Sequence, residues 1–97
     1  MNGEAAAARP RALLRIVNRK GLHARASARF VETVERFDAE ATVLRDGLRV
    51  NGASIMGLLM LAAGQGSEIE VETRGPDAAT LMAALRALVA EGFGEAD

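Results

Sequence analysis

Ala41-Thr42-Val43-Leu44-Arg45-Asp46-Gly47-Leu48-Arg49-Val50-Asn51 reads as two short strands joined at Asp46-Gly47. Asp-Gly between two short runs of strand formers is a strong hairpin signal. The tight turn that matches strand twist needs positive φ at both of its central positions, and Asp-Gly supplies them. Leu48 to Asn51 alternates in and out, so the hairpin offers one face to a core and one to water.

Reading outward, Phe30, Val31, Val34 and Phe37 are spaced as one face of a helix, predicted from about Ala24 to Phe37 and broken at Asp38-Ala39. Before it come a polar turn, Asn18-Arg19-Lys20-Gly21, and a strand, Ala12 to Val17. After the hairpin, Ser54 is a good N-cap for an apolar helical run, Ile55 to Ala63, with Gly64 as its C′ residue. Ser67 to Thr73 then alternates, with Glu68, Glu70 and Glu72 outward and Ile69 and Val71 inward, as expected of a half-buried strand with one wet face. Gly75-Pro76-Asp77 opens a last helix whose buried stripe is Ala78, Leu81, Met82, Leu85, Leu88 and Val89, ended by Gly92 and Gly94.

The order is therefore strand, helix, strand, strand, helix, strand, helix. Polar residues on one strand face leave only the other for helices. The expectation is an α+β open-faced sandwich of βαββαβα order, a four-stranded antiparallel sheet with three helices on one face. Residues 11–92 are read as one domain, residues 1–10 as a flexible N-terminal extension and residues 93–97 as a C-terminal tail.

Composition narrows the function. A chain of 97 residues, 49% apolar and 26% charged, has room for one hydrophobic core. Twelve Lys/Arg against 13 Asp/Glu give a net charge of −1, which argues against a surface that grips nucleic acid or anionic lipid as a whole. The absence of cysteine excludes disulfides, thiolate metal sites and a cysteine nucleophile. With three Phe and no Trp or Tyr, there is little on which single-stranded bases would stack. The apolar run Ala53 to Ala63 falls far short of the roughly 20 residues that span a bilayer. A cytoplasmic protein without membrane insertion, metal or cofactor is expected.

One local rule is broken. Helix N-termini favour carboxylates and disfavour cations. Here Arg19, Lys20, Arg25 and Arg29 crowd the start of the first helix, and the first acidic residue is Glu32. Arg25 and Arg29 are also like charges at i, i+4. A broken rule without visible compensation points to function, and an external anion would compensate this one, since open amides, helix dipole and guanidinium together make a phosphate site. His23, the single histidine, sits in the middle of the cluster. It reads either as a plain surface or capping residue or as a phosphoryl acceptor, its ring kept neutral by the helix terminus and the cations around it. A metal site lacks a second His or Cys, and a triad lacks a matched nucleophile.

Gly21-Leu22-His23-Ala24-Arg25-Ala26-Ser27-Ala28 resembles the active-site signature of the HPr family, the histidine phosphocarriers of the bacterial phosphoenolpyruvate-dependent phosphotransferase system. Asn51-Gly52-Ala53-Ser54-Ile55-Met56-Gly57-Leu58 resembles that family's regulatory serine segment, at the separation the family uses. The Gly66 to Val71 strand and the closing helix fall in register, so the likeness covers about Arg11 to Val89. It implies a phosphoryl-transfer intermediate rather than an enzyme that turns over a small molecule. Nδ1 of His23 would take the group from the phosphohistidine of an Enzyme I-type phosphotransferase and pass it to a IIA-type acceptor, with Arg25 contacting the phosphate. Ser54 would match the serine that an HPr kinase/phosphorylase modifies in some bacteria. Ile55, Met56, Leu59 and Met60 would form an apolar docking patch, with Arg19, Lys20 and Arg29 beside it. No nucleic-acid partner is implied, and a monomer is expected of a carrier that shows one face to successive partners.

Departures from the family pattern carry information. Ala26 replaces a common proline, Ala53 a common lysine before the serine, and Glu32 and Glu35 stand where sugar-system carriers often have lysine. The last pair points toward a regulatory branch such as the nitrogen-related phosphotransferase chain. Two other readings stay open: an interaction module switched by His23 or Ser54 phosphorylation without onward transfer to a sugar, and a small RNA-binding domain using the basic cluster.

Overall fold

The computed structural model describes residues 9–95. Its elements are β1 (Arg11–Arg15), α1 (Ala24–Glu35), β2 (Glu40–Arg45), β3 (Leu48–Asn51), α2 (Ile55–Met60), β4 (Glu68–Arg74), α3 (Ala78–Ala90) and a short 3-10 turn, Gly92–Gly94. Asp46 (φ 51°) and Gly47 (φ 83°) make the turn that the Asp-Gly pair demands, with Arg45 opposite Leu48 and Val43 opposite Val50. Non-local pairing completes the sheet: β4 lies between β1 and β2, giving the order β1-β4-β2-β3 with every pair antiparallel.

This register sends Leu14, Val43, Ile69 and Val71 to the same side, where α1 and α3 cover them. Phe30 and Val34 come from α1, Leu58 from α2, and Leu81, Leu85 and Val89 from α3. Burying a side chain of this size stabilises the fold by about 1.5–3 kcal/mol each. The core therefore fixes α1, and with it the residues at its start, against a rigid sheet. The expected open-faced sandwich is the one observed.

Three details differ from the sequence reading. The second helix stops at Met60 rather than Ala63, and Ala62 (φ 50°), not Gly64, takes the left-handed position. The chain leaves the helix early because its carbonyls find partners elsewhere: Leu61 O accepts from Arg45 Nη1 at 3.0 Å, and Ala63 O from Leu22 N at 2.8 Å. Glu72 does face the open side of the sheet, yet it is buried. Flanked by β1 and β2, it lies beneath the stems of Arg11 and Arg49, whose guanidinium groups approach its carboxylate at 3.5 Å each. Packed structure also continues past residue 92: Phe93 is fully buried and Glu95 reaches the first helix, so residues 93–95 are not a loose tail.

Of the extension read over residues 1–10, residues 1–8 lie outside the described residues, as do residues 96–97 of the tail. Pro10 already joins the sheet, its carbonyl accepting from Thr73 N at 3.0 Å. Among the described residues no helix is long and apolar enough to cross a membrane, and no cluster of His, Cys, Asp or Glu is able to hold a metal ion.

Candidate functional site

The loop after β1 is closed on itself before the first helix begins. Gly21 N donates to Asn18 O at 3.1 Å, and the buried Asn18 side chain returns a bond from Nδ2 to Gly21 O at 2.8 Å. Gly21 has φ +67°, and a Cβ built on it would lie 2.5 Å from the Ala63 carbonyl oxygen. Only glycine fits that approach. Leu22, buried in the core, then ties the loop to the end of α2 through the bond to Ala63. The next residue is His23.

His23 is the N-cap of α1, with extended backbone (φ −79°, ψ −175°) and its carbonyl accepting from Ser27 N at 2.8 Å. The ring makes no capping bond, and no acidic side chain lies in the first turn. The first amides of the helix therefore keep their dipole uncompensated from within α1. The His23 side chain is 27% exposed, open to a visiting molecule yet held by buried neighbours on both sides, Leu22 and Ala26.

A pocket of about 400 Å³ surrounds it, lined by Arg19, Lys20, His23, Arg25, Arg29, Gly94 and Glu95. All four cations singled out in the sequence line this one pocket. Arg25 is exposed and makes no ion pair with the described residues, so its guanidinium is available to a ligand.

Glu95 is the residue that sequence reasoning missed. Its Oε2 meets His23 Nε2, and its Oε1 accepts from Asn18 Nδ2 at 3.0 Å. The compensation expected from an external anion is thus supplied in part from inside the chain, 72 residues away. Burial pushes the Glu95 carboxyl up, but hydrogen bonds from Asn18 and His23, with the charges of His23 and Lys20, outweigh it and hold it below its ordinary value. The available signal was Gly92-Phe93-Gly94: a lone aromatic between glycines after a helix marks an anchored turn better than a tail.

Ser54 and the apolar residues after it stand apart from this pocket, on α2, which packs against α1. Ser54 Oγ accepts from Gly57 N at 2.9 Å, the capping bond its position predicts. Only Leu58 of α2 is buried; Ile55 (41%), Met56 (69%), Leu59 (37%) and Met60 (62%) are exposed. So large an apolar set on one short helix exceeds what scattered surface residues account for. Of the three phenylalanines, Phe30 and Phe93 are buried in the core and Phe37 is half-buried.

Fold and site together define a small α+β protein that presents a single histidine, at an uncapped helix start, in a pocket suited to an oxyanion. The family model described as "PTS HPr component phosphorylation site" matches residues 11–91. Phosphocarrier protein HPr of Neisseria meningitidis is 50% identical over 84 residues, which cover 87% of this chain and 94% of that protein. Phosphocarrier protein NPr of Shewanella violacea is 41% identical over 81 residues, covering 84% and 89%. A crystal structure of HPr from Thermoanaerobacter tengcongensis superposes with a TM-score of 0.86 at 35% identity, over 91% of this chain and 99% of that one. The chain belongs to the HPr family of phosphotransferase-system phosphocarriers.

Proposed function

We propose that His23 is the phosphoryl acceptor of this carrier, taking the group on Nδ1 from the phosphohistidine of an Enzyme I-type phosphotransferase and passing it to a histidine of a IIA-type component. The observation that carries the reading is the partly exposed His23 ring at the start of α1, where no side chain caps the first amides, in a pocket with four cations and one carboxylate. A phosphoryl group there lies against open amides, a helix dipole and the free Arg25 guanidinium, which hold it by position and charge without a metal. The exposed Ile55, Met56, Leu59 and Met60 side chains give successive partners one apolar surface on which to seat.

Incubation of the protein with phosphoenolpyruvate and an Enzyme I tests this. The expected product carries an acid-labile, base-stable phosphate that maps to the peptide containing His23 and is missing in His23→Ala. A wild-type protein that takes no label would overturn the carrier reading and leave the alternative, an interaction module.

Ser54 supports a regulatory reading through its place on α2 beside that apolar surface. Aspartate caps helices as well as serine, so Ser54→Asp is expected to keep stability within about 0.5 kcal/mol. Its charge next to Ile55 and Met56 should slow phosphorylation by Enzyme I, since a partner must desolvate it on docking. An unchanged rate in stopped-flow or quench assays would remove Ser54 from the account.

A further inference from the structure

We propose that Met56 and Met60 form a paired oxidation site: a hydroperoxide converts both thioethers to sulfoxides, and the oxidised face seats an Enzyme I-type partner poorly until a reductase removes the oxygen. The inference rests on the carrier reading and deepens it. It adds a reversible control of the docking surface that involves neither His23 nor Ser54.

Composition concentrates this chemistry. Cysteine and methionine are the side chains that hydroperoxides oxidise most readily, and the chain has no Cys and four Met. Met1 lies outside the described residues, and Met82 is sealed in the core at 6% exposure. Among the described residues, Met56 (69%) and Met60 (62%) are the methionines that stand open to solvent. One turn apart on α2, they share a face, with Ile55 and Leu59 exposed on the same helix. Leu58, the one buried side chain of α2, holds the helix to the core, to which neither exposed methionine belongs. Oxidation there leaves the packing of the fold intact. Flexible, polarisable thioethers suit a surface that fits partners of different shape, and the same property leaves that surface oxidisable.

In the oxidation step a sulfur lone pair attacks the terminal oxygen of the hydroperoxide. The S–O bond forms as the O–O bond breaks. The proton of the attacked oxygen passes to the departing one, which leaves as water or an alcohol. Sulfur loses two electrons and the peroxide gains them. The product is polar and chiral where the thioether was apolar. A partner seating its own apolar surface on α2 then has to strip water from S=O groups that find no donor beneath it, which weakens docking. Reduction reverses the change: a methionine sulfoxide reductase removes the oxygen as water, and the two electrons come from a pair of thiols that becomes a disulfide. Neither methionine lines the pocket around His23, so the transfer chemistry itself is untouched.

Treating the full chain with dilute hydrogen peroxide tests this, with the added oxygen mapped by peptide mass and phosphorylation by phospho-Enzyme I measured against carrier concentration. Oxygen should appear on Met56 and Met60 ahead of Met82. Oxidised wild type should show a KM for the carrier raised about tenfold with kcat unchanged, the split expected when docking is lost and chemistry is not. Treatment with the two epimer-specific reductases should restore the original KM. Met56→Leu/Met60→Leu, compared with its own untreated rate, should be insensitive to peroxide. Oxygen on Met82 first, an unchanged KM after oxidation, or an equal loss in the double variant overturns the proposal. Untreated wild type that takes no phosphate refutes the carrier reading instead, so the two failures are told apart.

Discussion

Arg25→Glu should accept phosphate from Enzyme I at least about 100-fold more slowly than wild type, while melting at the same temperature or slightly higher. The two halves of this result have opposite causes. A charge-assisted hydrogen bond contributes roughly 1.5–3 kcal/mol, and replacing the donor by a carboxylate turns that attraction into repulsion of the incoming dianion, a factor of about 100 or more in rate. For the unmodified fold the present arginine is a small liability. It stands in the first turn of α1, at i, i+4 from Arg29, and is exposed without an ion pair to the described residues. A glutamate there complements the helix dipole and pairs with Arg29, each favourable by roughly 0.3–0.5 kcal/mol. Quench-flow transfer and thermal melts on the same preparation check both signs. Normal transfer would remove the role given to Arg25; a large fall in melting temperature would show that its role is structural.

Gly21→Ala should show the reverse pattern, a loss of stability first and of transfer as its consequence. The added methyl meets the Ala63 carbonyl oxygen at 2.5 Å and the Gly64 Cα at 2.8 Å, and these are backbone atoms that cannot rotate away. The residue also has φ +67°, where an L side chain is strained. Strain and overpacking together cost about 2–4 kcal/mol. For a domain of this size that lowers the melting temperature by roughly 10–25 °C. The clash separates the loop that presents His23 from the end of α2, so transfer should fall even at temperatures where the variant is folded. Gly47→Ala is the matching control: that glycine also has a positive φ (+83°), but a Cβ there meets nothing within 4 Å, so strain acts without a clash and the effect should be smaller. Equal destabilisation of the two variants would contradict the contact-based account of Gly21.

What the sequence revealed was what local pattern and local electrostatics determine. Asp46-Gly47 admits one kind of turn, the Glu68–Val71 alternation one kind of strand, and the four cations crowding the start of the first helix do line one pocket. What escaped it is set by contacts between residues far apart in the chain. Residues Leu61 to Ala63 continue an apolar helical pattern, yet the helix ends because Arg45 and Leu22 take up the carbonyls that follow it. Glu72 sits at an outward position by periodicity and is buried only because two arginines from β1 and β3 lie over it. Glu95 carries no helical or strand pattern at all. Its place beside His23 depends on the burial of Phe93 and on the Asn18 side chain, neither of which a local reading weighs.

A phosphoryl group on His23 is expected to sit against the amides at the start of α1 and the Arg25 guanidinium. Amide ¹H–¹⁵N spectra of the protein before and after phosphorylation test this seat. Large downfield proton shifts are expected at Ala24, Arg25 and Ala26, with a slowed Arg25 side-chain NH signal and ³¹P coupling to Nδ1 of His23. Changes confined to other segments, with those three amides unmoved, would contradict it.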